Sequence, residues 1–155
     1  MGSRGGSKDD SKRELVKTPS IMDSRPTAFF GKTYDEALSL LEEARGYLSM
    51  LEPLERRHLE VSERLKLCTE TTRMTARLTQ VMAWLLTQRA VYEGEMTQDQ
   101  ALADTVTLAD VDVCMERADS DWGGLPRRLV GLLDRSQRLY LRVARLDELA
   151  RRRVD

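Results

Sequence analysis

Histidine is almost missing from this sequence. The one present, His58, sits in the charged stretch ERRHLE, where a solvated surface position is the simplest reading. General acid–base catalysis needs convergent titratable groups, and a lone surface imidazole does not supply them. Cysteine is nearly as scarce: Cys68 and Cys114 lie far apart, outside any CxxC and with no histidine near, which argues against a zinc site or a redox pair and for free cytosolic thiols. Aromatics make up only 5% of the chain, too few for the stacking platforms of RNA-binding modules. Glycine is sparse and forms no phosphate-binding loop, and neither a GxSxG elbow nor an HExxH pair occurs. The acidic stretch LADVDVCMERADSD fails as a calcium loop, because Cys114 stands where an oxygen ligand is wanted and no turn glycine follows. The longest apolar run, VMAWLL at 81–86, is far too short to cross a bilayer. The basic start MGSRGGSKDDSKRELVK lacks the apolar core of a secretory signal. The expectation is a cytoplasmic chain with no cofactor, no metal, no membrane contact and no catalytic centre.

What remains is charge and leucine. Charged residues reach 33% and hydrophobic ones 41%, a balance typical of helices built on Leu, Ala, Glu and Arg, so the predicted class is all-α. A length of 155 residues suits one domain. The formal net charge of −1 argues against generic electrostatic capture of nucleic acid.

Along the chain, residues 1–27 are polar and proline-interrupted, and read as a disordered tail ahead of a domain over 28–153. At TYDE, 33–36, Thr33 and Glu36 have the spacing of a capping box before an apolar face of Ala37, Leu41, Ala44, Leu48 and Leu51, which predicts a helix over 34–52 closed by Pro53. No proline or glycine interrupts 54–93, and the spacing predicts a long middle helix there. Its apolar positions run from Val61, Leu65, Cys68 and Thr72 to Leu78, Val81, Met82, Leu85 and Leu86. Such a helix, about 60 Å against about 30 Å for the first, overhangs its neighbour. Trp84 points away from Met82 and Leu86 and asks for a further contact, either self-association or burial under the next loop. Thr97 with Gln100 predicts a short helix over 98–104 inside an acidic loop spanning 93–122. Gly123 and Gly124 then break the chain, and Pro126 opens a last helix over 126–152 whose seam is Leu125, Leu129, Leu132, Ser136, Leu139, Val143, Leu146 and Ala150. The predicted architecture is an antiparallel three-helix bundle.

That last helix carries nine arginines between 127 and 153, and Arg127, Arg135, Arg138, Arg142, Arg145, Arg152 and Arg153 fall on one side at ~100° per residue. Carboxylates four residues earlier match Arg138, Arg151 and Arg152. Arg135, Arg142 and Arg145 have no such mate and are the candidate partner-binding residues, with Trp84 as the candidate for self-association. The alternative is a helical DNA-associated regulator using the same stripe. The acidic segment and the absence of a recognition-helix pattern weigh against it.

The stretches AFFGKTYDEALSLLEEARGYL at 28–48 and VMAWLLTQRAVYEGEMT at 81–97 resemble the regulator of CtrA degradation (RcdA) family of alphaproteobacteria. The resemblance implies a dimeric three-helix bundle acting as an adaptor for the ClpXP protease in the cell cycle. It further implies a protease primed by the response-regulator adaptor CpdR, contact with a PopA-like cyclic-di-GMP effector leading to CtrA, delivery of substrate proteins, and recruitment to the cell pole.

Overall fold

The computed structural model describes Gly2, residues 24–104, Leu108 and residues 122–153, with side chains from Phe29 onward and none for Asp104. The chain is helical through most of these residues: α1 (Ser24–Gly46), α2 (Glu52–Glu55), α3 (Val61–Tyr92), α4 (Gln98–Asp104) and α5 (Arg127–Arg152). The predicted all-α bundle is what forms.

The first helix begins earlier than its sequence suggests. Pro26 lies in the first turn of α1, where a missing N–H costs nothing, so the proline opens the helix instead of barring it. The last four residues of the expected tail are therefore helical, and most of the remainder lies outside the described residues. Thr33 is no cap: its hydroxyl donates to the Phe29 carbonyl from within the helix, 3.0 Å away.

Nor does Pro53 end the first arm. The backbone widens over Tyr47–Leu51 into a π-turn, the Glu52 N–H donates to the Tyr47 carbonyl, and Pro53 enters the first turn of α2. The Tyr47 hydroxyl donates to Glu55 at 2.7 Å across this irregularity, and burial together with that carboxylate pushes the phenol well above its ordinary range. The reversal comes at Leu59 and Glu60, both extended. Glu60 caps α3 in a capping box with Glu63. The middle helix therefore starts at Val61, not 54, and is about 48 Å long. The first arm continues to His58, which removes the expected overhang.

Phe30 stacks near Trp84, while Leu48 lies beside Thr72 and Thr75, so α1 runs antiparallel to α3. Arg135 pairs with Glu43 and Arg142 with Glu36, so α1 is antiparallel to α5 as well. Lys66 meets the Gly123 carbonyl at one end, and Trp84 meets Asp147 at the other, which makes α3 and α5 parallel. Three rods cannot all be mutually antiparallel, and the parallel pair here is α3 with α5, because α5 begins beside the start of α3.

The core gathers Ala37, Leu40, Ala44 and Tyr47 from α1, Leu67, Met74, Leu78, Val81 and Leu85 from α3, and Leu129, Leu133, Leu139, Tyr140 and Val143 from α5. The α5 seam is as predicted through Val143, with Leu146 and Ala150 only half-buried. On α3 the inward row passes through buried Glu70 and Arg77, and Val61, Leu65, Cys68 and Thr72, expected inside, face outward. Charged residues within the buried row disguise its direction.

Glycines at two turns are required by backbone shape. Gly94 takes φ +77° at the end of α3, where the Glu95 N–H reaches the Ala90 carbonyl and the Gly94 N–H that of Val91, a Schellman closure. Gly124 takes φ +83°, and a Cβ there would lie 2.7 Å from the Glu63 carboxylate. Gly124→Ala is expected to destabilise by about 1–3 kcal/mol through strain and displacement of the α3 cap. Gly131→Ala, in open space within α5, should stabilise by about 0.5–1 kcal/mol. Urea unfolding of the two variants checks the opposite signs.

Candidate functional site

The outer side of α5 carries a row of exposed arginines, and the rim of α1 beside it carries the carboxylates Glu36 and Glu43. Because α5 commits its leucines inward at heptad spacing, its arginines divide into two rows. Arg135 and Arg142 lie on the flank toward α1, whereas Arg127, Arg138, Arg145 and Arg152 lie opposite the core.

The flank row is engaged inside the molecule. Arg135 grips Glu43 with two hydrogen bonds of 2.6 and 2.9 Å, and Arg142 bonds to Glu36. The guanidinium of Arg135 holds the Glu43 carboxyl below its ordinary range, and Glu43 raises the arginine in turn. Both side chains are about half exposed, so each bridge is worth well under ~1 kcal/mol. With Glu43 depressed, the bridge contribution is complete above the ordinary carboxylate range and is lost as pH falls through the lower folded-state value. Glu43→Gln should remove that acid-side component from a pH–stability profile and leave neutral stability within about 1 kcal/mol.

The outer row is open to solvent. Arg145 is exposed and forms no ion pair among the described residues, and the same holds for Arg127 and Arg152. Arg138 holds Asp134 at 3.1 Å within the helix. The pairing expected between Glu148 and Arg152 does not form. Of the three candidates, then, Arg145 faces outward, while Arg135 and Arg142 chiefly tie α5 to α1. The signal for those ties is present in the sequence: Glu36 and Glu43 are seven residues apart on one helix, as are Arg135 and Arg142 on another.

Trp84 is not at a surface. It is only 5% exposed, and its indole N–H donates to Asp147 at 3.0 Å, so the self-association expected of it is replaced by packing within the monomer. The same carboxylate accepts from the Leu108 N–H at 3.2 Å and sits 3.2 Å from Arg151, while the Tyr140 hydroxyl donates to the Leu108 carbonyl. Asp147 and Tyr140 thus clasp Leu108, at 0% exposure, against the bundle. Sequence reasoning misses Asp147, which it counts only as an i,i+4 mate of Arg151.

The expected acidic patch is visible at Glu93, Glu95 and Asp99, each at least partly exposed; its stretch from 109 to 121 lies outside the described residues. Among the described residues no three potential metal ligands cluster, and no helix is long and apolar enough to cross a membrane. A groove of about 460 Å³ opens between α1 and the end of α3, lined by Phe30, Tyr34, Val91 and Tyr92. Its charged groups, Arg89 and Glu93, pair with each other at 2.8 Å.

A profile of the family described as "Protein of unknown function (DUF1465)" matches residues 22–155. Among solved structures, RcdA from Caulobacter crescentus CB15 is 38% identical and superposes with a TM-score of 0.64, over 78% of this chain and 89% of that one. This chain belongs to the RcdA-type DUF1465 family. A search of curated proteins finds no match. For an RcdA-type chain, the two segments at 28–48 and 81–97 have a clear structural meaning. They form the antiparallel α1–α3 contact that carries Phe30 against Trp84.

Proposed function

We propose that this RcdA-type protein is a non-enzymatic adaptor that tethers CtrA-type cell-cycle regulators to the ClpXP protease through protein–protein contacts. The reading includes a ClpXP already primed by CpdR, a PopA-like cyclic-di-GMP effector as an intermediate partner, a homodimeric cytoplasmic adaptor, and recruitment to the cell pole. What carries it is the outer α5 row, with guanidinium groups of Arg127, Arg145 and Arg152 turned to solvent on a convex helix face. A convex row of that kind suits an acidic protein surface, because charged rims steer encounter and set partner choice without a pocket. It does not suit turnover of a small substrate, which needs a concave site with convergent groups.

The test is degradation of a CtrA-type substrate by ClpXP and CpdR, with the PopA-like effector present, with and without this protein. Faster substrate loss supports the adaptor reading, and an unchanged rate opposes it. A titration with duplex DNA at rising salt runs beside it, since phosphate contacts weaken steeply with ionic strength and protein docking on a few charges does so less.

A further inference from the structure

Three locally unfavourable choices meet at one place on the surface. A groove of about 330 Å³ runs between the end of α1 and the start of α5, and Gly46 and Gly131 border it from opposite helices. Glycine is less favourable than alanine within a helix, and it is kept where the backbone needs a positive φ or where something must approach closely. Backbone shape does not require it here. Gly46 has φ −61°, Gly131 lies inside α5, and positive φ among the described glycines belongs to Gly2, Gly94 and Gly124. Nor does a neighbour forbid a side chain, since a Cβ at either position would meet nothing within 4 Å. Both glycines weaken their helices and leave open space that the monomer does not fill.

The third choice is the π-turn. Tyr47 and Leu51, its first and last residues, line the same groove. Such turns give up regular α-helical hydrogen bonding and recur at functional sites. Departures from local preference that gather at one spot mark a site more often than a scaffold.

Charge names the occupant. Arg127, Arg128 and Arg135 line the groove against one acid, Glu43, and that carboxylate is held by Arg135 at 2.6 and 2.9 Å. Arg127 and Arg128 are exposed and form no ion pair among the described residues. Each can take a carboxylate with paired N–H donors. A small anion would need the arginines alone. The glycines beside them call for an occupant with length, whose backbone lies where side chains are missing.

We infer that this groove binds an acidic segment of a partner protein, with its carboxylates on Arg127 and Arg128 and its backbone passing over Gly131 and Gly46. The inference rests on the adaptor reading in taking that segment to belong to a tethered protein. Arg127 joins the groove to the outer α5 row, so the row steers an acidic surface inward and the groove holds one stretch of it.

The probe is an acetylated hexaglutamate peptide, titrated at low salt into the isotope-labelled full chain and followed by amide NMR. The Gly46 and Gly131 resonances should move saturably, while hexalysine or inorganic phosphate at equal charge should leave them in place. Gly131→Leu should weaken hexaglutamate binding by roughly tenfold or more and raise the urea midpoint, because leucine fills the groove and is the better helix former. A gain in stability with a loss of binding separates a filled groove from a damaged fold. Arg127→Gln with Arg128→Gln should weaken binding similarly while the groove stays open. The proposal is overturned if hexaglutamate moves neither glycine, if phosphate moves them equally, or if Gly131→Leu binds as tightly as the wild type. It is also overturned if Asp119→Asn with Asp121→Asn shifts both glycines without peptide, which would make the chain's own acidic stretch the occupant. These assays contain neither protease nor substrate, so their failure is distinct from failure of the adaptor reading.

Discussion

Replacing Asp147 with alanine should cost about 3–5 kcal/mol, a large part of the roughly 5–15 kcal/mol that holds a domain folded. The carboxylate is 1% exposed and accepts from two buried donors, the Trp84 indole and the Leu108 backbone, with Arg151 alongside. Alanine leaves both donors without this acceptor in a place water does not reach, and an unmet buried donor costs about 1–3 kcal/mol. Arg151 also loses a charge partner at a half-buried site. Asp147→Asn should fall between, because one amide oxygen can serve only one side of the clasp well and the amide nitrogen opposes the other donor. Urea unfolding followed by tryptophan fluorescence measures the loss, and Glu148→Ala, exposed on the same turn, should stay within about 0.5 kcal/mol. A loss under about 1 kcal/mol for Asp147→Ala would mean that the desolvation of the carboxylate cancels its bonds.

Reversing Arg138, Arg145 and Arg152 to glutamate should weaken partner binding by roughly tenfold or more, about 1.4 kcal/mol, and remove the adaptor's effect on substrate degradation. Each reversal removes two units, taking the formal net charge from −1 to −7 on a face that makes no contact with the core. The fold should survive: the new local conflicts are the carboxylate that Arg138→Glu sets beside Asp134 and those that Arg145→Glu and Arg152→Glu set on either side of Glu148, each worth a few tenths of a kcal/mol. The comparison set is Arg135→Glu with Arg142→Glu. Those changes would oppose Glu43 and Glu36 across the α1–α5 contact, so their effect mixes binding with stability. Pull-down of CpdR-primed ClpXP and circular dichroism together separate the two. Unchanged binding by the outer-row variant would place docking elsewhere on the molecule.

Much of the fold is legible in the sequence, unevenly. The last helix can be read almost to the residue, because a glycine pair, a proline and a heptad of leucines agree with one another. The reciprocal bonds between Thr97 and Gln100 are those their spacing predicts, at 3.0 and 3.2 Å. The first two boundaries mislead because a proline reads as a stop, although Pro26 and Pro53 both occupy first-turn positions where an N–H is dispensable. Glu60 is a poor N-cap by type and gives no signal for the true start of α3. On α3 two apolar rows compete. Pattern favours the outer one, which begins with Val61 and Leu65, and only the partners of Glu70 and Trp84 decide for the inner one. Which arginines reach solvent is equally beyond a single-helix projection, since Glu36 and Glu43 approach them from another part of the chain.

The return path between Tyr92 and Arg127 bears on how the chain finds its fold. Helices joined by a tight reversal, as α1 and α3 are through Leu59 and Glu60, can zip together from the bend with little loop entropy to overcome. The third rod has no such bend to start from. Its first leucine docks beside the start of α3, the end far from Tyr92, so the α1–α3 hairpin is expected to form first and α5 to dock on it afterwards, with Leu108 fastened only once α5 supplies Tyr140 and Asp147.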